Sequence, residues 1–526
     1  MSLCPYQRGP QLYSWQNRIR VVSCQAEPGR IEYQIDEMGN LDRRDASLFI
    51  LVFAVLLVRE FFSPPIWHHG EAREALVVQG IIHNHQWILP LRNGELPSKP
   101  PLFHWLAALP ALLFGTNDFT VRLPSVIGAE VMAIATFLLA RGVGGRRVGW
   151  LAVGALLGMS EFWDAATEAR VDMVFSACIA VALVGFYFWF RDRNQSARTI
   201  CYMATACAVL AKGPAGIALI GLVMVSFLAI ERQLRLIGSF WSWPLVIAVL
   251  VVDFGWYALA YQTAGNEFLA VQLQRENLDR ALGTGEFDDH QNLLALAGWF
   301  VTRLLPWNLA LLWSLIRRLR GAREDSAGRL LHAWWISIAL IFAFAAGKRA
   351  IYLLPLYPAI AVLAARAVDE IMTRSARFST GASRPLRRRA TVIAIGAGLI
   401  AIDSVMMIIS NDVWKNVKSR RARLSVVDRV KAFVPSNAAL FATPEVEDAE
   451  LIVIAYRLGR EVERKLLMCA RGNDYFLSPI DSGAMPGVDQ QIHVASESEN
   501  VFLIHVSSGK PGEIDPRCIT MPAQQR

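Results

Sequence analysis

Residues able to do acid–base and anion-binding chemistry cluster between positions 64 and 120, in PPIWHHGEAREALVVQG and WILPLRNGELPSKPPLFHWL. Two acids, Glu71 and Glu74, flank Arg73, and Lys99 stands directly before a Pro-Pro pair. A positioned carboxylate can take a proton in a reaction, and an ammonium beside free backbone N–H groups can bind an anion. The segment is therefore the first candidate for a site.

The spacing within this segment predicts two short helices. Between residues 71 and 83 an apolar stripe falls on one face and the charges lie beside the polar face, as in a helix lying in a membrane interface. The prolines after Lys99 precede a second helix of the same kind. Two plainer roles stay open: acids in a first turn can simply cap a helix, and a lysine at a membrane surface can simply be solvated.

Two other basic turns repeat the combination of a cation and a chain break. They contain Lys212 in AKGPAG and, in GKRAIYLLPLYP, Lys348, Arg349 and Tyr352. Lysine binds phosphate as a point charge and arginine binds it as a planar fork. Three basic turns on one side of the protein therefore predict a phosphate-bearing ligand.

Four acids lie in or beside apolar runs. Asp172, in TEARVDMVF, follows Arg170 by two residues, so its alternative to a site role is a local ion pair of little energetic value. Glu130, Asp253 and Asp403 fall inside predicted membrane spans. Each is isolated in sequence, and we expect each to be satisfied by a polar contact within the bundle.

The elements that must hold these residues are long apolar segments. The 526 residues are 54% hydrophobic and 19% charged, with a mean hydropathy of +0.33, whereas soluble domains carry about 25% charged residues. Runs of about 17 to 25 apolar residues indicate membrane spans. The sequence thus predicts a mainly α, polytopic membrane bundle of about 11–13 transmembrane helices. Eleven segments are assigned, at 47–63, 121–140, 148–162, 172–190, 199–211, 214–230, 242–261, 293–316, 330–346, 351–368 and 390–410.

Charge patterning sets the expected topology and domains. Arginine-rich connections alternate with acidic ones, which by the positive-inside rule places the acidic loops, and the candidate site, on the extracytoplasmic side of a multi-pass inner-membrane protein. The net charge of +8 reflects this bias and not nucleic-acid binding. Residues 1–45 form a polar tail, for which Met38 is an alternative start; 46–410 form the membrane domain; 411–526 form a small extracytoplasmic α/β domain.

No metal or other cofactor is predicted. The seven cysteines include no Cys-x-x-Cys spacing. The acid-rich run 285–291, GEFDDHQ, could hold a cation but is expected to be a solvated loop. Cys469 and Cys518, in the outer domain, could pair in an oxidising compartment.

A series of motifs in one order resembles a known family. They are GEAR from Gly70, WILP from Trp87, KPPLFHW from Lys99, FGTNDFTVRLPS from Phe114, RVDM from Arg170, KGP at Lys212 and KRAIYLLPLYP at Lys348. Together they resemble integral-membrane (GT-C) glycosyltransferases of the protein mannosyltransferase and lipid A aminoarabinose transferase type, over residues 47–370. The resemblance implies transfer of a sugar from a polyprenyl-phosphate donor to a lipid or protein acceptor on the outer face of the membrane.

The resemblance also implies roles for individual residues. Glu71 would be the catalytic acid of the first loop and Asp172 a second acid in the cavity, with Glu74 and Lys212 as further cavity residues. The donor phosphate would be bound by Arg73, Lys99, Arg280, Lys348, Arg349 and Tyr352. The family motif is commonly Asp-Glu, but Gly70 occupies its first place here, so Asp172 and Glu74 are alternatives to Glu71 as the base.

The expected reaction is an inverting single displacement. A base deprotonates the acceptor hydroxyl while cations stabilise the leaving phosphate; with a phosphate acceptor, Glu71 would orient and not deprotonate. Two rival functions remain: a lipid or sugar transporter or flippase, which calls for charges along a midplane path and an internal repeat, and a scaffold that displays the outer domain.

Overall fold

A computed structural model of the protein describes residues 42–279, 292–321, 323–378, 427–465, 474–478, 488–493 and 502–506. Helices dominate, as predicted. The first half of the membrane domain contains α1 (Arg43–Phe61), α2 (His69–Asn84), α3 (Leu102–Phe114), α4 (Asp118–Leu157), α5 (Ser160–Thr167), α6 (Val171–Asp192), α7 (Gln195–Lys212), α8 (Ala215–Ile230) and α9 (Leu236–Phe240). The second half contains α10 (Trp243–Leu269), a π-helical segment (Ala270–Asp279), α11 (Leu293–Thr302), α12 (Trp307–Leu319), α13 (Ser326–Phe344), a 3-10 segment (Ala350–Leu356) and α14 (Tyr357–Phe378).

Fewer helices than predicted have the length of a full span. In the described part of the chain, five are long and apolar enough to cross a membrane, or six if α11 and α12, which meet at 104°, count as one broken span. The predicted segments 121–140 and 148–162 fall on the two sides of Gly145, whose non-helical backbone (φ 81°, ψ 174°) divides α4 into two helices, the second of which ends at Leu157. A positive φ is readily adopted only by glycine. The predicted span 390–410 lies outside the described residues.

Residues 64–120, called the first outer segment after the side of the membrane predicted for them, form the two predicted short helices, α2 and α3. The indole N–H groups of two tryptophans tie the connection between them to its surroundings. Trp105 donates to the carbonyl of Trp87 at 2.8 Å, and Trp256 of α10 donates to the carbonyl of Ile88 at 2.8 Å. The amphipathic spacing thus predicted the helices correctly, and tertiary contacts hold the turn between them.

The described part of the C-terminal region is α/β, as predicted. Its helix α15 (Asp448–Leu458) accompanies five strands, β1 (Leu440–Ala442), β2 (Glu463–Arg464), β3 (Asp474–Ser478), β4 (Val488–His493) and β5 (Phe502–Val506). The strand order is β2-β1-β3-β5-β4; β1 is parallel to β2 and β3, and β5 is antiparallel to β3 and β4. The cysteines Cys469 and Cys518 lie outside the described residues.

The C-terminal region is clamped to the start of α4 through Asp118. The carboxylate of Asp118 accepts from Tyr456 Oη at 2.8 Å, from Arg457 Nη2 at 2.9 Å and from the amide of Ile66 at 3.1 Å. Arg457 Nε also donates to the carbonyl of Ile66 at 2.8 Å. Gln79 of α2 adds a bond from its side-chain amide to the carbonyl of Tyr456. The clamp therefore joins the C-terminal region to the beginning of the first outer segment.

Replacing Arg457 with alanine should loosen this clamp. The variant leaves the Asp118 carboxylate and the Ile66 carbonyl without a charged donor, which costs about 1–3 kcal/mol of stability. Thermal unfolding in detergent should show a lower midpoint, and proteolysis should cut the C-terminal region faster. Lys431→Ala, at an exposed position in the same region, is the matched control. Equal stability of both variants would contradict the clamp.

Candidate active site

Glu71 lies in a buried ion pair at the start of α2. Arg122 of α4 donates to both of its oxygens, from Nε to Oε1 at 2.7 Å and from Nη2 to Oε2 at 2.9 Å. The amide of Ala169 adds a third bond to Oε1 at 2.9 Å. Glu71 is 7% exposed and Arg122 is 3% exposed. With three donors in place, this carboxylate orients α2 against α4 and has little capacity left to take a proton from a substrate.

Glu74, one turn further along α2, is also saturated. Its Oε1 accepts from Arg73 Nη2 at 2.8 Å, and its Oε2 lies 2.7 Å from Nε2 of His104 on α3. Because a carboxylate only accepts, Nε2 of His104 carries the hydrogen. Burial disfavours the charged form of Glu74, but Arg73 and His104 outweigh it and hold the pKa of this carboxyl below its usual value. Glu74 thus fixes the guanidinium of Arg73.

Lys99 is paired across the fold with Glu276. Its Nζ donates to Oε2 of Glu276 at 2.7 Å, and both side chains are buried. Glu276 belongs to the π-helical segment that follows α10, and Gln272 of the same segment donates to the carbonyl of Pro97 at 2.5 Å. This stretch lies between the predicted spans 242–261 and 293–316. Its helical turns bring the carboxylate of Glu276 to Lys99 of the first outer segment.

Asp172 and Lys212, predicted separately, meet directly. Lys212 Nζ donates to Oδ1 of Asp172 at 2.5 Å, and Arg170 Nε lies 3.5 Å from Oδ2. The Lys212 ammonium also lies 4.6 Å from the ring centroid of Tyr352, a cation–π distance. Asp172 additionally interacts electrostatically with Lys99. The local ion pair with Arg170 exists, but it is one part of a larger buried cluster.

Electrostatic contacts join these pairs into one network. Arg73 interacts with Glu276 and with Arg170, and Arg170 interacts with Tyr352 and Glu74. The structure therefore brings together most of the predicted site residues from α2, the loop before α3, the start of α6, the end of α7 and the 3-10 segment. The members are Arg73, Glu74, Lys99, Asp172, Lys212 and Tyr352, with Glu71 beside them.

Of the three remaining predicted cations, the structure describes Lys348 and Arg349. Lys348 is buried, and its Nζ donates to the carbonyl of Ala345 at 2.5 Å, so it caps the end of α13. Arg349 directly precedes the 3-10 segment that carries Tyr352. Arg280 lies outside the described residues, as does the acidic run 285–291.

The structure adds partners that sequence reasoning did not select. Arg122 stands in the motif RLPS and His104 in KPPLFHW, so the motif residues themselves were the available signal. Glu168, before Arg170, has a carboxylate 3.7 Å from the Nη1 of that arginine. Long-range pairing such as Arg122 with Glu71 leaves no trace in spacing along the chain.

One expectation about intramembrane acids is wrong. Asp253 on α10 was expected to have a polar contact, but both of its carboxylate oxygens are buried without a hydrogen-bond partner among the described residues. One oxygen of Glu130, Oε2, is in the same state. Asp403 lies outside the described residues.

This fold has counterparts among proteins described as membrane glycosyltransferases. Residues 98–256 match the family model described as dolichyl-phosphate-mannose-protein mannosyltransferase. The described fold aligns with a crystal structure of ArnT from Cupriavidus metallidurans bound to undecaprenyl phosphate, with a TM-score of 0.70, over 90% of this chain and 100% of that one, at 16% identity. The apo structure of the same protein gives a TM-score of 0.67. The fold that the motifs predicted is confirmed.

Sequence relatives narrow the comparison to one type within that class. An undecaprenyl phosphate-alpha-4-amino-4-deoxy-L-arabinose arabinosyl transferase of Shewanella sediminis is 27% identical over 340 residues, which is 62% of this chain and 61% of that protein. The corresponding protein 1 of Pseudomonas fluorescens Pf-5 is 26% identical over 68% of this chain and 64% of its own length. The aligned chain thus spans less than two thirds of these relatives.

Breaking the pair of Glu71 and Arg122 should destabilise the folded protein. Arg122→Leu leaves a buried carboxylate unpaired, and loss of one member of a buried pair costs about 3–5 kcal/mol. We expect a strongly lowered unfolding midpoint in detergent for Arg122→Leu. The double variant Glu71→Leu/Arg122→Leu should recover much of that loss, since no charge is stranded. An Arg122→Leu protein as stable as wild type would disprove the structural role of the pair.

Proposed function

We propose that this protein is a membrane glycosyltransferase that moves a sugar from a polyprenyl-phosphate donor to a lipid or protein acceptor on the outer face of the cytoplasmic membrane. The observation that carries the proposal is the buried network of alternating cations and acids, assembled from five segments at one place in the bundle. A fold shared with a protein crystallised with undecaprenyl phosphate, and relatives named as undecaprenyl-phosphate aminoarabinose transferases, support it.

The cations of the network supply the chemistry that the leaving group needs. In the proposed reaction the bond between the anomeric carbon and the phosphate oxygen breaks, and negative charge grows on the phosphate. Lys99 and Arg73 would accept that charge, with Arg349 and Tyr352 completing the cradle. Preorganised donors in a buried site stabilise such charge far more than water does. Because Lys99 is held by Glu276 and Arg73 by Glu74, these cations are in place before the donor arrives.

The acids of the network have two different roles. Glu71 is bound by Arg122 and Ala169, so we assign it to positioning the first outer segment. Asp172 is held by Lys212, whose ammonium lies over the Tyr352 ring, and would face the sugar of the donor. A carboxylate and an ammonium side by side can accept from and donate to the hydroxyl or amino groups of a sugar.

The direct test is chemical analysis of the cell envelope. Mass spectrometry of glycolipids and glycoproteins from a strain lacking the gene should show the loss of one hexose, pentose or aminosugar. The missing unit names both the sugar and the acceptor. An unchanged inventory would argue against the transferase and favour the rival transport function.

Neutralising Lys99 should weaken binding of the donor lipid. A hydrogen bond to a charged group contributes about 1.5–3 kcal/mol, so Lys99→Gln should raise the Kd for undecaprenyl phosphate by roughly 10- to 150-fold. Binding to purified protein in detergent measures this. Lys431→Gln, an exposed position, should bind as wild type does. If Lys99→Gln binds undecaprenyl phosphate as tightly as Lys431→Gln does, Lys99 is not part of the phosphate site.

A further inference from the structure

The acids predicted for catalysis are all engaged by donors. Glu71 accepts three hydrogen bonds, Glu74 is held by Arg73 and His104, and Asp172 is held by Lys212. A general base needs a lone pair that can reach the proton it removes. Glu74, like Glu71, accepts three hydrogen bonds. Asp172 has Lys212 on one oxygen and Arg170 Nε 3.5 Å from the other, and its side chain is 7% exposed. These three carboxylates are therefore less accessible to an acceptor hydroxyl than a carboxylate that solvent reaches.

Glu168 has the contrasting environment. Its side chain is 42% exposed, and among the described residues its nearest cation is Arg170, whose Nη1 lies 3.7 Å away, beyond hydrogen-bond distance. The residue stands in the short extended connection between α5 and α6. A carboxylate that solvent can reach, with one loosely placed partner, has more unoccupied lone pairs than Glu71 or Glu74 and is more exposed than Asp172.

The backbone around Glu168 is rigidly placed against the site. Its carbonyl accepts from Ser125 Oγ at 2.6 Å. The next amide, of Ala169, donates to Glu71 at 2.9 Å, so Glu168 leaves the chain directly beside the first-outer-segment acid. Arg170, two residues on, interacts with Asp172. Glu168 therefore adds a reachable carboxylate between Glu71 and Asp172.

We propose that Glu168 is the general base of the transfer reaction, a role that rests on the function proposed above. Its carboxylate takes the proton from the acceptor hydroxyl as the hydroxyl oxygen forms its bond to the anomeric carbon. The bond from that carbon to the donor phosphate breaks, and its electron pair leaves with the phosphate. Glu168 ends protonated and returns the proton to solvent.

The electrostatic surroundings suit this role. The surrounding protein leaves part of the Glu168 side chain exposed but reduces its hydration, which raises the pKa of Glu168 to about 8 against the lowering effect of Arg170; the nearby acids Glu71, Asp164 and Glu161 raise it further. A base is most effective when its pKa lies near the working pH. Because only the ionised carboxylate acts as a base, the rate rises with pH up to about 8 and is level above it.

The experiment uses full-length protein in detergent, undecaprenyl-phosphate 4-amino-4-deoxyarabinose as donor probe and dephosphorylated lipid A, which offers only hydroxyls, as acceptor probe. Glu168→Gln should lower kcat by about 10²- to 10⁴-fold, with the Kd for undecaprenyl phosphate unchanged. Glu168→Asp should retain part of the activity. Glu95→Gln, in the exposed hairpin of the first outer segment, is the control and should match wild type.

The outcomes separate the two proposals. If Glu168→Gln transfers sugar at the wild-type rate, the role of Glu168 is overturned and the proposed transferase is not. A wild-type rate that is flat from about pH 6 to pH 9 overturns it in the same way. The pH measurement needs no variant and therefore decides the matter even if Glu168→Gln does not fold. If only phosphorylated lipid A is glycosylated and Glu168→Gln matches wild type, the attacking oxygen is already ionised and the role is also overturned. Wild-type protein that transfers sugar to neither acceptor argues against the transferase itself.

Discussion

The buried pair between Arg122 and Glu71 is the interaction on which the end of the bundle that carries the candidate site depends. A guanidinium that is 3% exposed must have all of its charge met by the protein. Arg122 therefore gathers Glu71 from α2, the carbonyl of Pro64 and, at 3.4 Å, Glu60 from the end of α1. Since Glu71 in turn holds the amide of Ala169, four separate segments take their places around one charge.

The rest of the site follows the same rule of paired burial. Lys99 has Glu276, Arg73 has Glu74, and Lys212 has Asp172. Dense positive charge can be packed into a membrane protein only when acids offset the repulsion. For a phosphate ligand this means that binding is an exchange of partners. Such an exchange would lower the affinity for the phosphate, which suits the proposed transferase because it must release a lipid phosphate after each turnover.

The C-terminal region has a physical connection to this arrangement. The Asp118 carboxylate that receives Tyr456 and Arg457 also receives the amide of Ile66. Ile66 lies two residues after Pro64, whose carbonyl accepts from Arg122. Hydrogen bonds and the short backbone stretch from Pro64 to Ile66 thus connect α15 with the pair that orients the first outer segment.

Much about this protein was decided by local sequence. Apolar runs and arginine-rich turns predict a helical membrane protein because the bilayer imposes length and charge rules on each segment independently. Amphipathic spacing predicts α2 and α3 for the same local reason. The motifs also predict that a set of five residues belongs to one site, and the structure places these residues in one cluster: Arg73, Lys99, Asp172, Lys212 and Tyr352.

Tertiary structure alone decided which of these charges is available. Whether a carboxylate can act as a base depends on how many donors surround it, and the donors come from residues far away in the chain: Arg122 is 51 positions from Glu71, and Glu276 is 177 positions from Lys99. The same holds for Asp253, because nothing in the local sequence shows that its buried oxygens have no hydrogen-bond partner among the described residues. Sequence spacing specifies what a residue is and which helix carries it, but burial and pairing arise only when distant helices pack, and they determine what the residue can do.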